Sequence, residues 1–297
     1  MTDPAVHVRI KGGLGNQMFQ YAAGLALARR LRCPLKLDLS YCARDPLRDY
    51  ALDGFGVDAA KANPRDIAAF AVDQAWRRRL GKLAGRPDMF LPGGLYVESH
   101  FHFDKTFFDR EPPVFLDGYW QSARYFERIA DEVRGVFDRP AAPSRFYDEM
   151  RHEIEAAGNA VSVHVRRGDY VTGKAAAKMA GSCTPAYYAR SVALMSRLVP
   201  GATFFVFSDE PEEAGRMLAF ADPVVVAAPS DRPAEDMSLM AACRHHIIAN
   251  SSFSWWGAWL DPSPKKTVIA PRLWFSRGYL RKADTLDLYD PDWITLG

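Results

Sequence analysis

The sequence lacks any apolar run approaching the roughly 20 residues that cross a bilayer. Its opening segment, MTDPAVHVRI, also lacks the long apolar core of a signal peptide. The four cysteines are widely scattered and form no Cys-x-x-Cys pair, which favours a reducing compartment over a disulfide framework. We therefore expect a cytoplasmic protein whose cysteines have structural roles.

An excess of charge of one sign is missing as well. Lysine and arginine total 38 against 36 aspartates and glutamates, a net charge of +2. Such a balance provides no surface for a polyanion, so nucleic acid is not expected as a partner. The 297 residues are 48% hydrophobic and 25% charged, which is typical of a globular protein long enough for two domains.

The first part of the chain has the pattern of a βαβ unit. Residues 5–10 form an apolar, β-branched run that ends at a glycine cluster, and residues 18–31 then show helical spacing. Residues 35–39 alternate with period two, which indicates a second strand. Residues 40–112 have no clear period, so we expect short helices and loops there, whereas residues 122–137 again resemble a helix.

Beyond a proline-bearing linker at residues 139–144, strand and helix patterns alternate regularly. The predicted strands are residues 161–165, 204–207, 224–227, 246–249 and 267–270. Repeated β-then-α order predicts a parallel sheet covered on both faces. We therefore predict an α/β protein with two Rossmann-like domains facing a cleft, residues 1–143 and 144–297, with ligands beyond the carboxyl ends of the strands.

The glycine cluster after the first strand is the first candidate site. Gly12, Gly13 and Gly15 open the helix, where backbone N–H groups can approach a phosphate or a sugar. Gly13-x-Gly15 followed by Asp38 also matches half of a dinucleotide fingerprint, which would indicate an oxidoreductase. Met18 occupies the third glycine position of that fingerprint, making a close crossing of helix and strand doubtful there. A simple tight turn is the other alternative.

A basic motif ends the first predicted strand of the second domain. Strand alternation places His164 and Arg166 on one face and Arg167 on the other. An arginine fork donates paired, charge-assisted hydrogen bonds to phosphate oxygens, so a diphosphate would explain the motif. The alternative is an ordinary surface ion pair between an arginine and Asp169.

A polar turn follows the strand predicted at residues 246–249. Asp236 opens a helical stretch before it, and Asn250, Ser251 and Ser252 stand at its strand-to-helix junction. Hydroxyl and helix N–H groups at such a junction can bind phosphate, although a serine that only caps the helix is an equally ordinary role.

The tryptophans and the residue types that can bind metals are weaker evidence for a functional site. For Trp255, Trp256 and Trp259 we favour core packing over a sugar-stacking platform, which would suit a non-catalytic carbohydrate-binding protein. Asp290-Pro291-Asp292 fits a turn, and the pairs His100-x-His102 and His245-His246 lack partners at metal-site spacing. We expect no metal site.

Four motifs together resemble the bacterial α1,2-fucosyltransferase family. They are GGLGNQMFQYA at residues 12–22, HVRRGDY at 164–170, FSDE at 207–210 and NSSFSWWGAWL at 250–260. The resemblance implies a GT-B fold and inverting transfer of L-fucose from GDP-β-L-fucose to the 2-hydroxyl of a terminal β-galactoside. It implies no cofactor and no obligatory metal. The partners would be GDP-fucose and a galactose-containing glycan, with peripheral membrane contact through a lipid-linked acceptor.

The resemblance also implies residue roles. Arg166 would hold the diphosphate and stabilise the leaving group, while His164 and Asp236 would contact guanine. The phosphate pocket would be lined by Asn250, Ser251, Ser252 and Phe253. Asn16 and the glycines at positions 12, 13 and 15 would lie near the fucose, in a first domain that also receives the acceptor. Asp169 aligns with the acid of the motif, but no residue is identified as the general base.

Overall fold

The computed structural model describes residues 4–44, 49–68, 70, 94–166, 183–227, 231–276, 278–280 and 283–297. The chain forms two compact α/β units. The N-terminal unit consists of Met1–Leu52, Val57–Val133 and Leu286–Leu288. The C-terminal unit consists of Asp53–Gly56, Arg134–Thr285 and Tyr289–Gly297.

The division between the units falls inside a helix, α3 (Ala130–Val136), about ten residues before the domain boundary expected from the linker. Side-chain contacts explain this position. The guanidinium of Arg134 lies 4.5 Å from the ring centroid of Trp259, and Phe137 lies 5.6 Å from Trp256, edge to face. These contacts join the end of α3 to the core of the C-terminal unit.

The N-terminal unit contains a five-stranded parallel sheet. Its strands are β1 (Val6–Arg9), β2 (Leu35–Asp38), β3 (Ala60–Lys61), β4 (Leu95–Val97) and β5 (Val114–Asp117), in the order β3-β2-β1-β5-β4. Helix α1 (Leu14–Leu31) joins β1 to β2, which confirms the predicted βαβ unit. The short helix α2 (Pro64–Ala68) follows β3. Strands β3 and β4 lie within residues 40–112, where the sequence shows no clear period.

Helix α1 crosses β1 closely, although the third fingerprint position is a methionine. Met18 is fully buried in the core, and the close approach comes at Gly24 instead. A Cβ on Gly24 would overlap Cγ2 of Val8 in β1. The role of the missing glycine is therefore filled later in the helix.

The C-terminal unit contains a six-stranded parallel sheet. Its strands are β6 (Ala160–Val165), β7 (Thr203–Ser208), β8 (Val224–Val226), β9 (His245–Ile247), β10 (Val268–Pro271) and β11 (Ile294–Leu296), in the order β11-β10-β9-β6-β7-β8. Five of these strands match the predicted ones. Every residue of β6 is buried, so helices cover both faces of the sheet as expected.

In the described part of the C-terminal unit, the first helix after α3 precedes β6, and the later helices connect successive strands. These helices are α4 (Arg145–Ala156), α5 (Pro185–Leu198), α6 (Pro211–Met217), α7 (Pro233–Ala242) and α8 (Ser252–Leu260). Proline begins α5, α6 and α7, where its missing N–H costs no hydrogen bond. The helix expected at residues 122–137 is instead two 3-10 turns followed by α3. Within the described ranges, no helix has the length and apolarity to span a bilayer.

Candidate functional site

Each sheet has one point at which the order of strand addition reverses, so that later strands are added on the other side of the first strand. In the N-terminal unit the strands progress from β1 toward β2, whereas β5 lies on the other side of β1. In the C-terminal unit they progress from β6 toward β7, whereas β9 lies on the other side of β6. Loops diverge at such switch points and leave a ligand crevice at the carboxyl edge of the sheet. The motifs at residues 12–16, 164–166 and 250–253 all lie at these two positions.

His164 and Phe253 come together at the C-terminal switch point. Their ring centroids are 5.7 Å apart, although His164 lies in β6 and Phe253 lies in the helix that follows β9. Burial, assisted by the positive charge of Arg166 and opposed by Asp209, lowers the pKa of His164 to about 3. The imidazole is therefore neutral at pH 7. Its buried Nδ1 has no hydrogen-bond partner among the described residues, so it is available to a ligand.

Two adjacent tyrosines of α5 hold the strands that flank this crevice. The hydroxyl of Tyr188 donates to the carbonyl oxygen of His164 at 3.0 Å, and that of Tyr187 donates to the carbonyl oxygen of Ile248 at 2.7 Å. Both tyrosines are buried. Half-buried Arg166 directly follows the fixed end of β6. Sequence reasoning missed these tyrosines, since the only signal was an aromatic pair in the first turn of a predicted helix.

The polar turn after β9 begins α8. Ser251 is the N-cap, and its Oγ accepts a hydrogen bond of 3.3 Å from the N–H of Phe253, so the capping role is present. Asn250 is engaged at both ends of its amide: Nδ2 donates to the carbonyl of Trp274 at 3.1 Å, and Oδ1 accepts from Cys183 at 3.3 Å. Asn250 therefore shapes the turn. Half-buried Ser252 is the first helical residue, where N–H groups can face an anion.

Asp236 lies in the first turn of α7 rather than at its start, because the helix begins at Pro233. Helices α7 and α8 both lead back to the start of a parallel strand, so both begin on the carboxyl side of the sheet. Burial raises the pKa of Asp236 to about 7, with the neighbouring charge of Glu235 adding to the effect.

Asp236 differs from its neighbour in hydrogen bonding. Its Oδ1 is buried without a hydrogen-bond partner in the described part of the chain. Glu235, in contrast, accepts from Arg232 and from both the N–H and the hydroxyl of Ser144. A buried carboxyl oxygen that has no hydrogen-bond partner among the described residues is a candidate for binding a ligand donor.

The glycine loop of the N-terminal unit is held in one conformation. Gly12 has a φ of +79°, which favours glycine, and a Cβ there would lie 2.8 Å from Nδ2 of Asn16. Gly13 is the N-cap of α1, and apart from its chain neighbours no heavy atom of the described residues would lie within 4 Å of a Cβ built on it. Gly15 is buried in the first turn, and Oδ1 of Asn16 accepts from Nε2 of Gln121 at 2.6 Å. Within the described residues, the N terminus of α1 therefore has open space at Gly13 and is anchored through Asn16.

The comparison with protein families decides the identity of the chain. Residues 96–297 match the family described as Glycosyl transferase family 11. The chain belongs to this family.

Curated relatives align over most of this glycosyltransferase. It is 35% identical over 288 residues to the "Alpha-1,2-colitosyltransferase" of Escherichia coli, covering 94% of this chain and 95% of the relative. It is 30% identical over 303 residues to the "O-antigen biosynthesis glycosyltransferase WbnK" of Escherichia coli, covering 97% and 99%. The "Galactoside 2-alpha-L-fucosyltransferase" of Caenorhabditis elegans is 24% identical over 305 residues, covering 99% and 79%.

The oxidoreductase alternative is disfavoured by Asp38 of the glycosyltransferase. A dinucleotide site needs this carboxylate to reach a ribose hydroxyl. Asp38 is instead fully buried and accepts hydrogen bonds from Nε of Arg9 at 3.3 Å and from the N–H of Ser40 at 2.9 Å.

The residue types singled out as possible metal ligands have other roles in the family 11 chain. The N–H of Asp292 donates to Oδ1 of Asp290 at 3.0 Å, which is the predicted turn. Buried His246 contacts Ser162 and Asp261, at 2.9 and 3.4 Å. In the described ranges, no group of three or more His, Cys, Asp or Glu side chains is arranged to hold a metal ion.

The three tryptophans of the C-terminal motif pack in the core. Trp255, Trp256 and Trp259 are buried against one another, so the packing role is confirmed and a stacking platform is not formed by them. Arg167 and Asp169 lie outside the described residues.

Proposed function

We propose that this glycosyltransferase transfers L-fucose from GDP-β-L-fucose to the 2-hydroxyl of a terminal β-galactoside, with inversion to an α linkage. The products would serve surface polysaccharide or oligosaccharide synthesis, in line with the O-antigen and galactoside relatives. The observation that carries the proposal is the buried Oδ1 of Asp236, which lacks a hydrogen-bond partner among the described residues.

Guanine matches the unsatisfied carboxyl of Asp236. An ionised carboxylate accepts two parallel hydrogen bonds, and guanine presents N1–H and an exocyclic amine in that arrangement. Neutral His164 would offer a second contact to the base through its Nδ1. The C-terminal unit would therefore bind the GDP moiety.

Charge and helix geometry supply the rest of the donor site. Arg166 follows β6 at the switch point, where its fork would bind the diphosphate. The N terminus of α8, with Ser251, Ser252 and Phe253, would face the phosphates. As the fucosyl bond breaks, negative charge grows on the β-phosphate, so Arg166 would stabilise the transition state more than the ground state. Arginine would take the place of a divalent cation, and no cofactor would be required.

The N-terminal unit would provide the sugar and acceptor side, through Asn16 and the backbone at Gly12, Gly13 and Gly15. The transition state of glycosyl transfer is oxocarbenium-like, so stabilisation of the departing GDP would contribute much of the rate. The proposed catalytic residues are Arg166, Asn16 and Asp169, and Asp169 is included on the motif alone.

Transfer of colitose is the second candidate, because the relative at 35% identity is an α1,2-colitosyltransferase. Colitose is the 3-deoxy counterpart of fucose, so both donors share GDP, the leaving group and the linkage formed. The residues proposed for the GDP moiety would be compatible with either sugar.

A donor and acceptor matrix separates the candidates. GDP release would be measured with GDP-fucose and GDP-colitose against lactose, methyl β-galactoside and methyl β-glucoside, with Arg166→Ala as the inactive control. We expect a higher kcat/KM for GDP-fucose, activity with galactosides alone, and an α1,2 linkage in the product by NMR. A preference for GDP-colitose would establish the second candidate. Absence of turnover with both donors on galactosides would reject both.

A further inference from the structure

We infer that Tyr119 stacks against the acceptor saccharide and that Glu98 is the positioning residue that presents it. The inference rests on the proposed function, because it assigns the acceptor side of that reaction. It concerns the loop that follows β5, residues 118–122, which flanks the switch point between β1 and β5. Ligands of open α/β sheets bind at this position.

Tyr119 is an aromatic residue exposed where a ligand is expected. Its side chain is 39% exposed, whereas the next residue, Trp120, is 1% exposed. A pyranose ring presents C–H groups on one face, and the amphipathic ring of a tyrosine can pack against them.

Glu98 fixes the backbone that carries Tyr119. This glutamate directly follows β4, and its carboxylate receives two consecutive backbone N–H groups: Tyr119 donates to Oε2 at 2.8 Å and Trp120 donates to Oε1 at 2.9 Å. A Cβ on Gly118 would overlap the Cβ of Glu98, so the loop and the glutamate are packed in direct contact.

The loop holds an unfavourable backbone conformation at Trp120. Its φ is +55°, a left-handed value that is rare for a bulky residue. The indole is held by Tyr96 and Tyr125, at ring-centroid distances of 5.1 and 5.6 Å. With Trp120 directed into the core and its N–H bound to Glu98, the neighbouring Tyr119 is turned outward. Strained backbone that the surroundings hold in place is characteristic of binding sites.

The same loop is joined to the glycine loop on the other side of the switch point. Gln20 accepts from the N–H of Lys11 at 3.0 Å and donates to the carbonyl of Gly118 at 3.2 Å. Gln121 donates to Asn16, as described above. These hydrogen bonds tie the loop at residues 118–122 to the glycine loop.

Polar groups stand beside the exposed ring. Nζ of Lys11 lies 5.0 Å from the ring centroid of Tyr119 and 2.7 Å from Oδ1 of Asp117. A stacking surface bordered by a few convergent polar groups is the usual composition of a carbohydrate-sized site. These observations assign the crevice between β1 and β5 to a neutral saccharide.

Steady-state kinetics with GDP-fucose and lactose test the assignment. The variants are Tyr119→Ala, Tyr119→Phe, Glu98→Gln and the double variant Glu98→Gln/Tyr119→Ala. The control is Phe220→Ala, which removes an exposed aromatic ring of the C-terminal unit. Melting temperatures and GDP affinity are measured for each, and GDP-fucose hydrolysis without lactose reports on the donor side.

Loss of stacking should appear in the acceptor KM. We expect Tyr119→Ala to raise the KM for lactose about fivefold to tenfold with GDP affinity unchanged, and Tyr119→Phe to stay near the parent. Both oxygens of Glu98 accept a backbone N–H, and Glu98→Gln replaces one of them with an N–H₂ group that cannot accept. The variant should therefore also raise the KM for lactose. If Glu98 acts through Tyr119, the double variant should be no worse than Tyr119→Ala alone.

The possible failures are distinguishable. A parent enzyme that does not turn over GDP-fucose with any galactoside overturns the proposed function and the acceptor assignment with it. An active parent whose Tyr119→Ala variant keeps the parental KM for lactose overturns the inference alone. Additive losses in the double variant overturn the positioning role of Glu98 and leave that of Tyr119 intact.

Discussion

The hydroxyl of Tyr188 donates a hydrogen bond of 3.0 Å to the carbonyl oxygen of His164. This bond ties the first turn of α5 to the carboxyl end of β6, where the imidazole and the following arginine would meet the donor. The bond therefore connects the packing of a helix to the geometry of the candidate site.

Removing that hydroxyl should affect both stability and turnover. Tyr188→Phe removes a hydrogen bond to a buried carbonyl oxygen, and such a bond typically contributes about 0.5–1.5 kcal/mol to the unfolding free energy. We expect a corresponding loss in urea denaturation together with a lower kcat. The matched control is Tyr289→Phe, which removes a hydroxyl that donates to the carbonyl of Pro271 at 2.7 Å. If both variants lose stability and both folded variants keep the parental kcat, Tyr188 is a structural residue only.

Arg166→Lys should abolish most of the turnover. A lysine keeps the charge but lacks the paired fork, so we expect it to fail almost as badly as Arg166→Ala. Loss of one preorganised donor typically costs about 3–4 kcal/mol, or roughly a hundredfold to a thousandfold in kcat. Steady-state kinetics with GDP-fucose and lactose, alongside thermal melts, provide the measurement.

The control for this substitution is Arg190→Lys, because Arg190 is exposed on α5 and donates to the carbonyl of Gly297. It should keep the parental kcat. A folded Arg166→Lys enzyme that retains more than about a tenth of the parental kcat would remove the leaving-group role.

Asp236→Asn should weaken GDP binding and abolish its pH dependence. The free carboxyl has a pKa of about 7 because of burial, and only its ionised form accepts both guanine donors. Binding therefore releases a proton below pH 7. The Kd of the parent for GDP should rise about tenfold for each pH unit by which the pH falls below 7, and it should be constant above pH 7. Calorimetric titration of GDP at pH 5.5–8.5 provides the measurement. A variant that binds GDP as tightly as the parent would exclude base recognition by Asp236.

The same substitution should stabilise the free protein at alkaline pH. The pKa of Asp236 is raised in the folded state, so the protonated form contributes stability that is lost as the pH rises through about 7. Asp236→Asn avoids a buried, unpaired carboxylate, and we expect its melting temperature to exceed that of the parent at pH 8 but not at pH 5. Equal differences at both pH values would contradict the raised pKa.

Activity should persist in EDTA. The proposed mechanism assigns the charge of the diphosphate to Arg166, and the Asp290–Asp292 pair forms a turn closed by its own hydrogen bond. GDP release is to be compared in buffer with EDTA and in buffer with magnesium or manganese. Loss of most activity in EDTA, restored by either metal, would show that the donor site uses a divalent cation.

Local sequence pattern was sufficient for most elements of the fold. Strand β1, helix α1 and strand β2 follow from an apolar run, a helical period and an alternating run, because each signal lies within a few neighbouring residues. Strands β3, β4 and β11 were not predicted, although β8 and β9, which are as short as β4 and β11, were. The region at residues 122–137 has helical spacing, yet it folds into 3-10 turns before α3.

The candidate site depended on sequence and tertiary structure in different ways. Sequence motifs identified His164, Arg166 and the turn at residues 250–253, because glycines, arginines and capping residues have distinct chemistry at strand ends. The resemblance placed Asn250 and Ser251 in a phosphate pocket. In the structure, the Asn250 amide holds the turn and the Ser251 hydroxyl caps the helix.

The sequence by itself determined the alternation of strands and helices and the family to which the chain belongs. Only the tertiary structure decided which strand ends are neighbours, so it alone brought the ring of His164 to Phe253 and the carboxylate of Glu98 to the backbone of Tyr119. Strand order and long-range hydrogen bonds, such as that between Tyr187 and Ile248 across 61 residues, have no local signature. They arise because burial of the whole sheet selects one arrangement, and this arrangement then sets the exposure and the pKa of each site residue.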